Sequence, residues 1–142
     1  MPIREMKESD LPRVLEIQQE LAFQAWNERE FLAEIQASYS LCVVYETDKK
    51  ILGYAIFHLM GPDSELLSIA ASTEHQRSGI GTALLNAGLE RLDFAKSDRM
   101  FLEVREGNAK ARHFYEKNGF VEYSSRTNYY SDGENAILYC KN

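Results

Sequence analysis

The sequence predicts an α/β domain in which a mixed β-sheet carries helices on both faces. Apolar and β-branched runs of strand length alternate along the chain with segments whose apolar residues recur at helical spacing. The resulting order is β, α, α, β, β, β, α, β, α, β, β, and strands interleaved with helices pack as a sheet covered by helices. The 142 residues contain no repeat and no linker-like stretch, so one domain spanning 1–142 is expected.

The chain starts with a short strand and a first helix. Residues Ile3 to Met6 predict the strand. The helical pattern begins at Leu11, for which Ser9 or Asp10 is a suitable N-cap. Pro12 falls in the first turn of this helix, where its missing N–H has no cost.

A second helix and three strands follow. Asn27 is the expected cap of this helix, and Glu30 three residues later completes a capping box. The runs Leu41 to Glu46 and Ile51 to Leu59 are joined by a short polar link, which predicts an antiparallel hairpin. Leu66 to Ala71 is a third apolar strand.

The C-terminal half contains two helices and three strands. Leucines at helical spacing predict a helix over Gly79 to Lys96, and Arg99 to Val104 alternates between two faces as a strand does. Asn108 to Asn118 predicts the last helix, and Gly119 stands where a left-handed C-cap is favoured. The last two strands are expected near Phe120 to Asn128 and Asn135 to Cys140.

Composition and charge narrow the possible partners. The chain has 16 Lys and Arg against 22 Asp and Glu, a net charge of −6, so nucleic acid is not an expected partner. An acidic protein suits basic or amine partners, although most acidic proteins are merely soluble. Cys42 and Cys140 form no paired motif and the histidines lack ligand spacing, so neither a disulfide framework nor a metal site is expected.

The same features predict a cytoplasmic location. The first ten residues are charged, which argues against a signal peptide. No apolar run approaches the roughly 18 residues that a membrane span requires, so no membrane partner is expected. Two cysteines outside any paired motif are typical of a reducing compartment.

Residues 76–81, Gln-Arg-Ser-Gly-Ile-Gly, lie between a predicted strand and a predicted helix. A helix N-terminus offers unpaired N–H groups and a partial positive charge to a pyrophosphate, and Gly79 and Gly81 permit close backbone approach. A plain glycine-rich helix start is the alternative on these residues alone. The segment is neither a P-loop, since no Gly-Lys-Ser/Thr follows, nor a dinucleotide fingerprint, since the third glycine is absent.

Two motifs together resemble the GNAT superfamily of acetyltransferases. Residues 76–81 are similar to its coenzyme A pyrophosphate motif, Gln/Arg-x-x-Gly-x-Gly/Ala, and residues 108–120 to its Asn-x-x-Ala-x-x-x-Tyr-x-x-x-Gly-Phe segment. The resemblance implies the GNAT fold, a mixed, mostly antiparallel sheet with a splayed parallel strand pair. It also implies acetyl-CoA as co-substrate and direct attack of a primary amine on the thioester, with coenzyme A wedged between the strands Leu66–Ala71 and Arg99–Val104.

The resemblance further assigns residues to coenzyme binding. Backbone N–H groups near Ile69 to Ala71 would polarise the thioester carbonyl, and the loop from Arg77 to Thr82 would bind the pyrophosphate. Where the family commonly shows Val-x-Pro, this chain has Ala-Ser-Thr at 71–73, which keeps the backbone role but predicts a less rigid strand end. The full set of expected coenzyme contacts is Ile69, Ala70, Ala71, Arg77, Ser78, Gly79, Ile80, Gly81, Thr82, Asn108 and Tyr115.

Tyr115 and Glu103 are the expected acid and base. Tyr115 shares one helix face with Asn108 and Ala111, and a phenol with a pKa near 10 can protonate a leaving thiolate. A core tyrosine is the alternative. Glu103 lies on the strand face opposite three apolar residues, Met100, Leu102 and Val104. A carboxylate there can take the amine proton directly or through water, and a surface glutamate is the alternative.

Three segments resemble one GNAT subgroup, the bacterial ribosomal-protein alanine N-acetyltransferases. They are Leu-Glu-Val-Arg-x-x-Asn at 102–108, Arg-x-Asn-Tyr-Tyr at 126–130 with Asp-Gly at 132–133 and Ala136, and Ala-Trp-x-x-x-x-Phe at 25–31. The resemblance makes Glu103 the base and an N-terminal peptide of a basic, ribosomal protein the expected acceptor, namely the N-terminal alanine of the eighteenth small-subunit protein. The loop after Tyr130 is shorter than the subgroup's and lacks its Pro, so the acceptor is less firmly indicated than the chemistry.

The chemistry of amines is compatible with an N-terminal acceptor. An α-amine has a pKa near 8 and a lysine near 10.4, so deprotonating lysine costs about 3 kcal/mol more at neutral pH. A small amine and a lysine side chain remain alternative acceptors. A non-catalytic acetyl-CoA sensor or a plain interaction domain would leave Glu103 and Tyr115 without a role, and the oligomeric state is not predicted.

Overall fold

Seven strands form one mixed sheet in a computed structural model that describes residues 2–20, 26–75 and 78–142. The strands are β1 Ile3–Glu5, β2 Ser40–Thr47, β3 Lys50–Met60, β4 Asp63–Ala71, β5 Arg99–Arg105, β6 Val121–Arg126 and β7 Ala136–Lys141. Their order in the sheet is β1-β2-β3-β4-β5-β7-β6. The pairs β1–β2, β2–β3, β5–β7 and β6–β7 are antiparallel, whereas β4 and β5 run parallel.

Four α-helices accompany the sheet. They are α1 Leu11–Gln19, α2 Glu28–Gln36, α3 Ile80–Leu89 and α4 Ala109–Lys117. The mixed α/β prediction is therefore confirmed in its element order. No helix in the described ranges is long and apolar enough to cross a membrane.

Local chemistry sets the helix starts, largely as predicted. The Asn27 side chain accepts the Glu30 N–H at 2.8 Å, and the Glu30 carboxylate accepts the Asn27 N–H at 3.0 Å, which confirms the capping box. Asp10 stands at the N-cap position of α1, but its side chain makes no cap hydrogen bond. Its carboxylate instead accepts from the Arg4 guanidinium at 2.8 and 3.0 Å and from the Lys7 N–H at 2.7 Å.

The predicted helix over 79–96 was wrong in its second half, because α3 ends at Leu89. The Asp93 side chain accepts the Ala95 N–H at 3.1 Å and starts a separate 3-10 turn at Phe94–Lys96. The Asp98 carboxylate accepts the Asp93 N–H at 2.8 Å. These side-chain bonds take up backbone groups that a continuing helix would use.

The chain forms two compact units, Met1–Met60 with Leu66–Arg91 and Gly61–Glu65 with Leu92–Asn142. A parallel ladder inside the second unit pairs residues 63–65 of β4 with residues 99–101 of β5. Beyond it, residues 66–71 of β4 belong to the first unit and the rest of β5 to the second. A single domain over 1–142 stays a prediction.

Each unit has its own apolar core. In the first unit the core includes Val14, Ile17, Phe31, Tyr54 and Ile56. In the second unit the buried apolar residues are Met100, Leu102, Val104, Tyr115, Phe120, Ala136, Ile137, Leu138 and Tyr139. On one face, Met100, Leu102 and Val104 of β5 lie beside Ile137 and Tyr139 of β7, and Tyr139 packs against Tyr115 of α4, whereas Ala136 and Leu138 are buried on the face that Glu103 shares.

Candidate active site

Strand β5 presents Glu103 on its more open face. The alternation predicted for this strand is confirmed, since Met100, Leu102 and Val104 are buried while Phe101, Glu103 and Arg105 are half-buried. Glu103 lies opposite Leu138 of β7. The carboxylate therefore belongs to the face of β5 that does not form the core of the second unit.

Two tyrosines of the β6–β7 loop, residues 127–135, approach Glu103. The Tyr129 side chain lies beside Glu103, and hydrogen bonding to that carboxylate, with burial second, raises the pKa of Tyr129. The rings of Tyr129 and Tyr130 meet edge to face with centroids 5.1 Å apart. Burial and then the negative charge of Glu103 raise the pKa of Tyr130. Both tyrosines belong to the subgroup signature at 126–130, but no contact was predicted for either of them.

Arg105 holds this loop against β5. Its guanidinium contacts Asp132 at 2.9 Å and Glu134 at 3.0 Å, and it lies 4.1 Å from the centre of the Tyr130 ring. The hydrogen bond to Glu134 is the main cause that raises the pKa of Arg105, against the effect of burial. Glu134 also accepts the Gly107 N–H at 2.8 Å. Sequence reasoning missed this clamp, whose signal was an arginine two positions after Glu103 and two acids in the loop.

The loop is closed by its own backbone as well. The Gly133 N–H donates to the Tyr130 carbonyl at 2.8 Å, and Gly133 has a φ of +90°, which favours glycine. The Asn128 N–H donates to the Asn135 side chain at 2.9 Å, and Asn135 in turn donates to Glu106 at 2.9 Å. Hydrogen bonds within the loop therefore hold the turn that carries Tyr129 and Tyr130.

Tyr115 is buried on α4 among aromatic rings. Its ring centroid lies 5.8 Å from that of Phe120 and 6.4 Å from that of Tyr139. Burial, followed by the neighbouring Tyr130, raises the pKa of Tyr115, and neither cause is a hydrogen bond. The phenol therefore stays protonated at neutral pH, as a general acid requires.

Asn108 is the N-cap of the helix that carries Tyr115. Its side-chain oxygen accepts the Ala111 N–H at 3.2 Å, and its carbonyl accepts the Arg112 N–H at 3.0 Å. At the other end of α4, Gly119 has a φ of +91°, which confirms the predicted left-handed C-cap. Asn108 therefore fixes the start of α4. The coenzyme contact predicted for Asn108 from the sequence would be a second role of the same residue.

The predicted phosphate loop lies in the first unit at the start of α3. Gly79 is the N-cap with a φ of +85°, and a Cβ atom there would meet nothing within 4 Å. Ser78, Gly79 and Thr82 are exposed, whereas the Ile80 side chain is buried in the core. The first N–H groups of α3 have no partner within the helix, so they are available to an anion. Arg77 lies outside the described residues.

The end of β4 is held by its neighbours in the first unit. Gly53 is required there, since a Cβ atom would lie 2.8 Å from the Ala70 carbonyl oxygen. After Ala71, the Ser72 N–H donates to the Leu52 carbonyl at 2.8 Å.

The C-cap residue of α1, Glu20, restrains the segment that follows β4. The Glu20 carboxylate accepts the Thr73 N–H at 3.1 Å and the Thr73 hydroxyl at 2.7 Å, which lowers the pKa of Glu20. Glu20 thus restrains the segment for which the missing family Pro predicts less rigidity.

Comparisons with known proteins agree with this architecture. Residues 11–120 match the acetyltransferase (GNAT) family. The chain is 35% identical over 144 residues to an uncharacterized N-acetyltransferase of Methanocaldococcus jannaschii, covering 99% of this chain and 91% of that protein. It is 34% identical over 122 residues to an N-alpha-acetyltransferase of Sulfurisphaera tokodaii, covering 77% of this chain and 71% of that protein.

A third relative comes with a solved structure. The chain is 34% identical over 139 residues to the ribosomal protein bS18-alanine N-acetyltransferase of Escherichia coli K12, covering 96% of this chain and 93% of that protein. The crystal structure of the S18-alanine enzyme from Escherichia coli matches with a TM-score of 0.85 at 34% identity, over 98% of this chain and 91% of that chain. The predicted fold, enzyme class and acetyl-CoA co-substrate are thereby confirmed. This chain belongs to the GNAT family and is an acetyl-CoA-dependent N-acetyltransferase.

Proposed function

We propose that this enzyme acetylates the N-terminal α-amine of a polypeptide, with Glu103 as general base and Tyr115 as general acid. The observation that carries the proposal is the position of Glu103 on β5, half-buried on the face opposite the buried Met100, Leu102 and Val104. The names of two relatives support an α-amine, one acting on the alanine of ribosomal protein bS18 and one called an N-alpha-acetyltransferase. The N-terminal alanine of that ribosomal protein is the acceptor we propose, with the cytoplasm, where ribosomal proteins are made, as the location.

The base is needed because the acceptor arrives charged. An α-amine with a pKa near 8 is mostly protonated at neutral pH, and it must lose a proton before its nitrogen can attack. A carboxylate has about four acceptor sites on its two oxygens, so Glu103 can accept from an ammonium even with the Tyr129 hydroxyl beside it. Glu103 would take the first proton of the ammonium, directly or through water, and the neutral nitrogen would then attack the thioester carbonyl carbon. The carbon–sulfur bond breaks as Tyr115 protonates the sulfur, and the second proton that the nitrogen loses on forming the amide replaces the one that Tyr115 gave up.

The acid serves the leaving group. The thiolate that leaves has a pKa of about 8.5, well below that of a phenol, so protonation by Tyr115 is coupled to departure rather than complete before it. Burial raises the pKa of Tyr115 and keeps the phenol in its proton-donating form. Asn108 would support this role by fixing the start of α4.

We also propose the coenzyme contacts of the first unit. The pyrophosphate would bind the loop from Arg77 to Thr82 through the N–H groups at the start of α3, which have no partner within the helix. Backbone N–H groups of Ile69 to Ala71, at the end of β4, would polarise the thioester carbonyl. The net charge of −6 favours a basic acceptor peptide.

The Glu103→Gln variant tests the base. Glutamine keeps the shape but cannot take a proton, so kcat/KM for an N-terminal alanine peptide with basic residues should fall by roughly 10²–10⁴ at neutral pH. The loss should shrink as the pH rises past the amine's pKa, because the acceptor then arrives deprotonated. The measurement is a pH profile of kcat/KM for both proteins, with Glu122→Gln, which removes an exposed carboxylate from β6, as the control.

Two results would contradict the proposal. A Glu103→Gln profile parallel to wild type from about pH 6 to 9 would remove Glu103 from the mechanism. If wild type acetylates free small amines or lysine side chains but no N-terminal peptide, the acceptor assignment is wrong and the GNAT chemistry stands.

A further inference from the structure

An apolar groove adjoins Glu103 on the open face of the second unit. Helix α4 packs on the other face, since Tyr115 contacts Tyr139, whose strand partner is the buried Leu102. On the Glu103 face no α-helix of the second unit covers the described strands. There a groove of about 300 Å³ is lined by Arg99, Phe101, Val121, Tyr123, Cys140 and Asn142.

The walls of the groove expose large apolar side chains. Val121 is 66% exposed and Tyr123 is 54% exposed, and both belong to β6, an edge strand whose six residues are all exposed. Tyr123 meets Phe101 edge to face with ring centroids 5.8 Å apart. Adjacent exposed apolar side chains beside a concave surface are typical of a binding site for an apolar group.

The groove is continuous with the proposed catalytic carboxylate. Phe101 lies two residues before Glu103 on the same face of β5, a distance of about 7 Å at strand spacing. An extended peptide advances by the same amount per residue. A peptide with its amine at Glu103 would therefore place its third to fifth residues along the groove.

Charge favours a basic peptide through the whole chain and not through the groove. The net charge is −6, which suits a basic acceptor. The one charged side chain among the groove residues is Arg99. The groove itself therefore selects for an apolar side chain.

We propose that this groove binds the acceptor polypeptide beyond its first residue and holds an apolar or aromatic side chain from its third to fifth positions. The groove then distinguishes acceptors by sequence, separately from the chemistry at the amine. The inference rests on the proposed function, because it requires a polypeptide whose N-terminus is at Glu103.

A series of synthetic acceptors tests the groove. An alanine dipeptide amide is compared with a basic hexapeptide that begins with alanine and has phenylalanine at position three, and with the same hexapeptide carrying serine there. Wild type should prefer the phenylalanine peptide to the serine peptide by roughly tenfold in kcat/KM, mostly through KM, as expected for burial of one large side chain. Val121→Asp and Tyr123→Ser should each remove most of that preference.

Met60→Asp is the matched control, because Met60 is also 54% exposed and ends a strand in the first unit. It should keep the wild-type preference. Thermal unfolding and acetyl-CoA affinity establish that each variant is folded. If Val121→Asp does not fold, Tyr123→Ser still tests the groove.

The outcomes separate the two proposals. Wild-type turnover of the dipeptide with no preference among hexapeptides, or an equal preference in the groove variants, would refute the groove alone. A wild-type dimer that Val121→Asp converts to a monomer in sedimentation would assign the surface to a second copy and overturn the peptide site. No turnover of any peptide would refute both proposals.

Discussion

Replacing Arg105 by alanine should weaken the hold on the β6–β7 loop without touching either proposed catalytic group. The side chain is only 14% exposed, and truncation removes its ion pairs with Asp132 and Glu134 and its contact with the Tyr130 ring. Tyr129, the hydrogen-bond partner of Glu103, precedes Tyr130 in the same loop. The expected consequence is a less ordered acceptor side of the site.

The magnitude follows from the exposure of the partners. The Asp132 pair is exposed on the acid side, at 62%, so solvent screens it and its contribution is neglected. The Glu134 pair, with its acid 32% exposed, contributes up to about 1 kcal/mol, and the cation–π contact adds about 0.5–1 kcal/mol. The sum of about 2 kcal/mol corresponds to a loss of up to roughly 30-fold in kcat/KM, if loop order is required for acceptor binding.

The assay is steady-state acetylation of an N-terminal alanine peptide, with KM measured for the peptide and for acetyl-CoA separately. A loop that positions the acceptor predicts a rise in the peptide KM with the acetyl-CoA KM unchanged. Arg105→Lys keeps the charge but loses the planar contact with Tyr130. Its KM for the peptide should therefore lie between those of wild type and Arg105→Ala.

Arg4→Ala is the matched control, because Arg4 also bridges two carboxylates, Asp10 at 2.8 Å and Glu46 at 3.0 Å, far along the chain from the β6–β7 loop. It should lower the free energy of unfolding and leave both KM values unchanged. A folded Arg105→Ala protein with wild-type KM for the peptide, or with no greater loss than Arg4→Ala, would refute the reasoning.

Two further substitutions test the acid and the phosphate loop. Tyr115→Phe should lower kcat by about 10² or more without changing acetyl-CoA affinity. Tyr54→Phe, which removes another buried hydroxyl, should leave kcat unchanged. Near-full turnover of Tyr115→Phe when chemistry limits the rate would make Tyr115 a core residue only. Gly79→Leu should weaken acetyl-CoA binding in calorimetry, whereas Gly61→Leu, with a similar φ of +77° and open space, should cost stability alone; equal affinity in both folded variants would contradict the loop assignment.

Much of the fold could be predicted because its signals are local. The capping box of Asn27 and Glu30 and the left-handed Gly119 depend on residues within one helical turn. The end of α3 could not be predicted in this way, because the leucine spacing continues to Leu92 while Asp93 and Asp98 divert the backbone. Apolar periodicity reports which face of a helix is buried, and it does not report competing side-chain bonds.

In the candidate site, too, features set by local sequence could be predicted and contacts between distant residues could not. The face occupied by Glu103 follows from strand alternation alone. The partners of Arg105 stand 27 and 29 positions away in the chain, and no spacing rule connects them. The β6–β7 loop can be placed on β5 only after β6 and β7 have paired, so its contacts follow from tertiary structure.

The proposed acid and base lie on different faces of β5. Glu103 belongs to its half-buried face, beside Tyr129, whereas Tyr115 of α4 packs with Tyr139 on the buried face. Burial raises the pKa of Tyr115, so the phenol is protonated at neutral pH. The proposed base would therefore take a proton from the amine on one side of the strand while the proposed acid gives one to the sulfur on the other, and the second proton that the nitrogen loses restores the phenol.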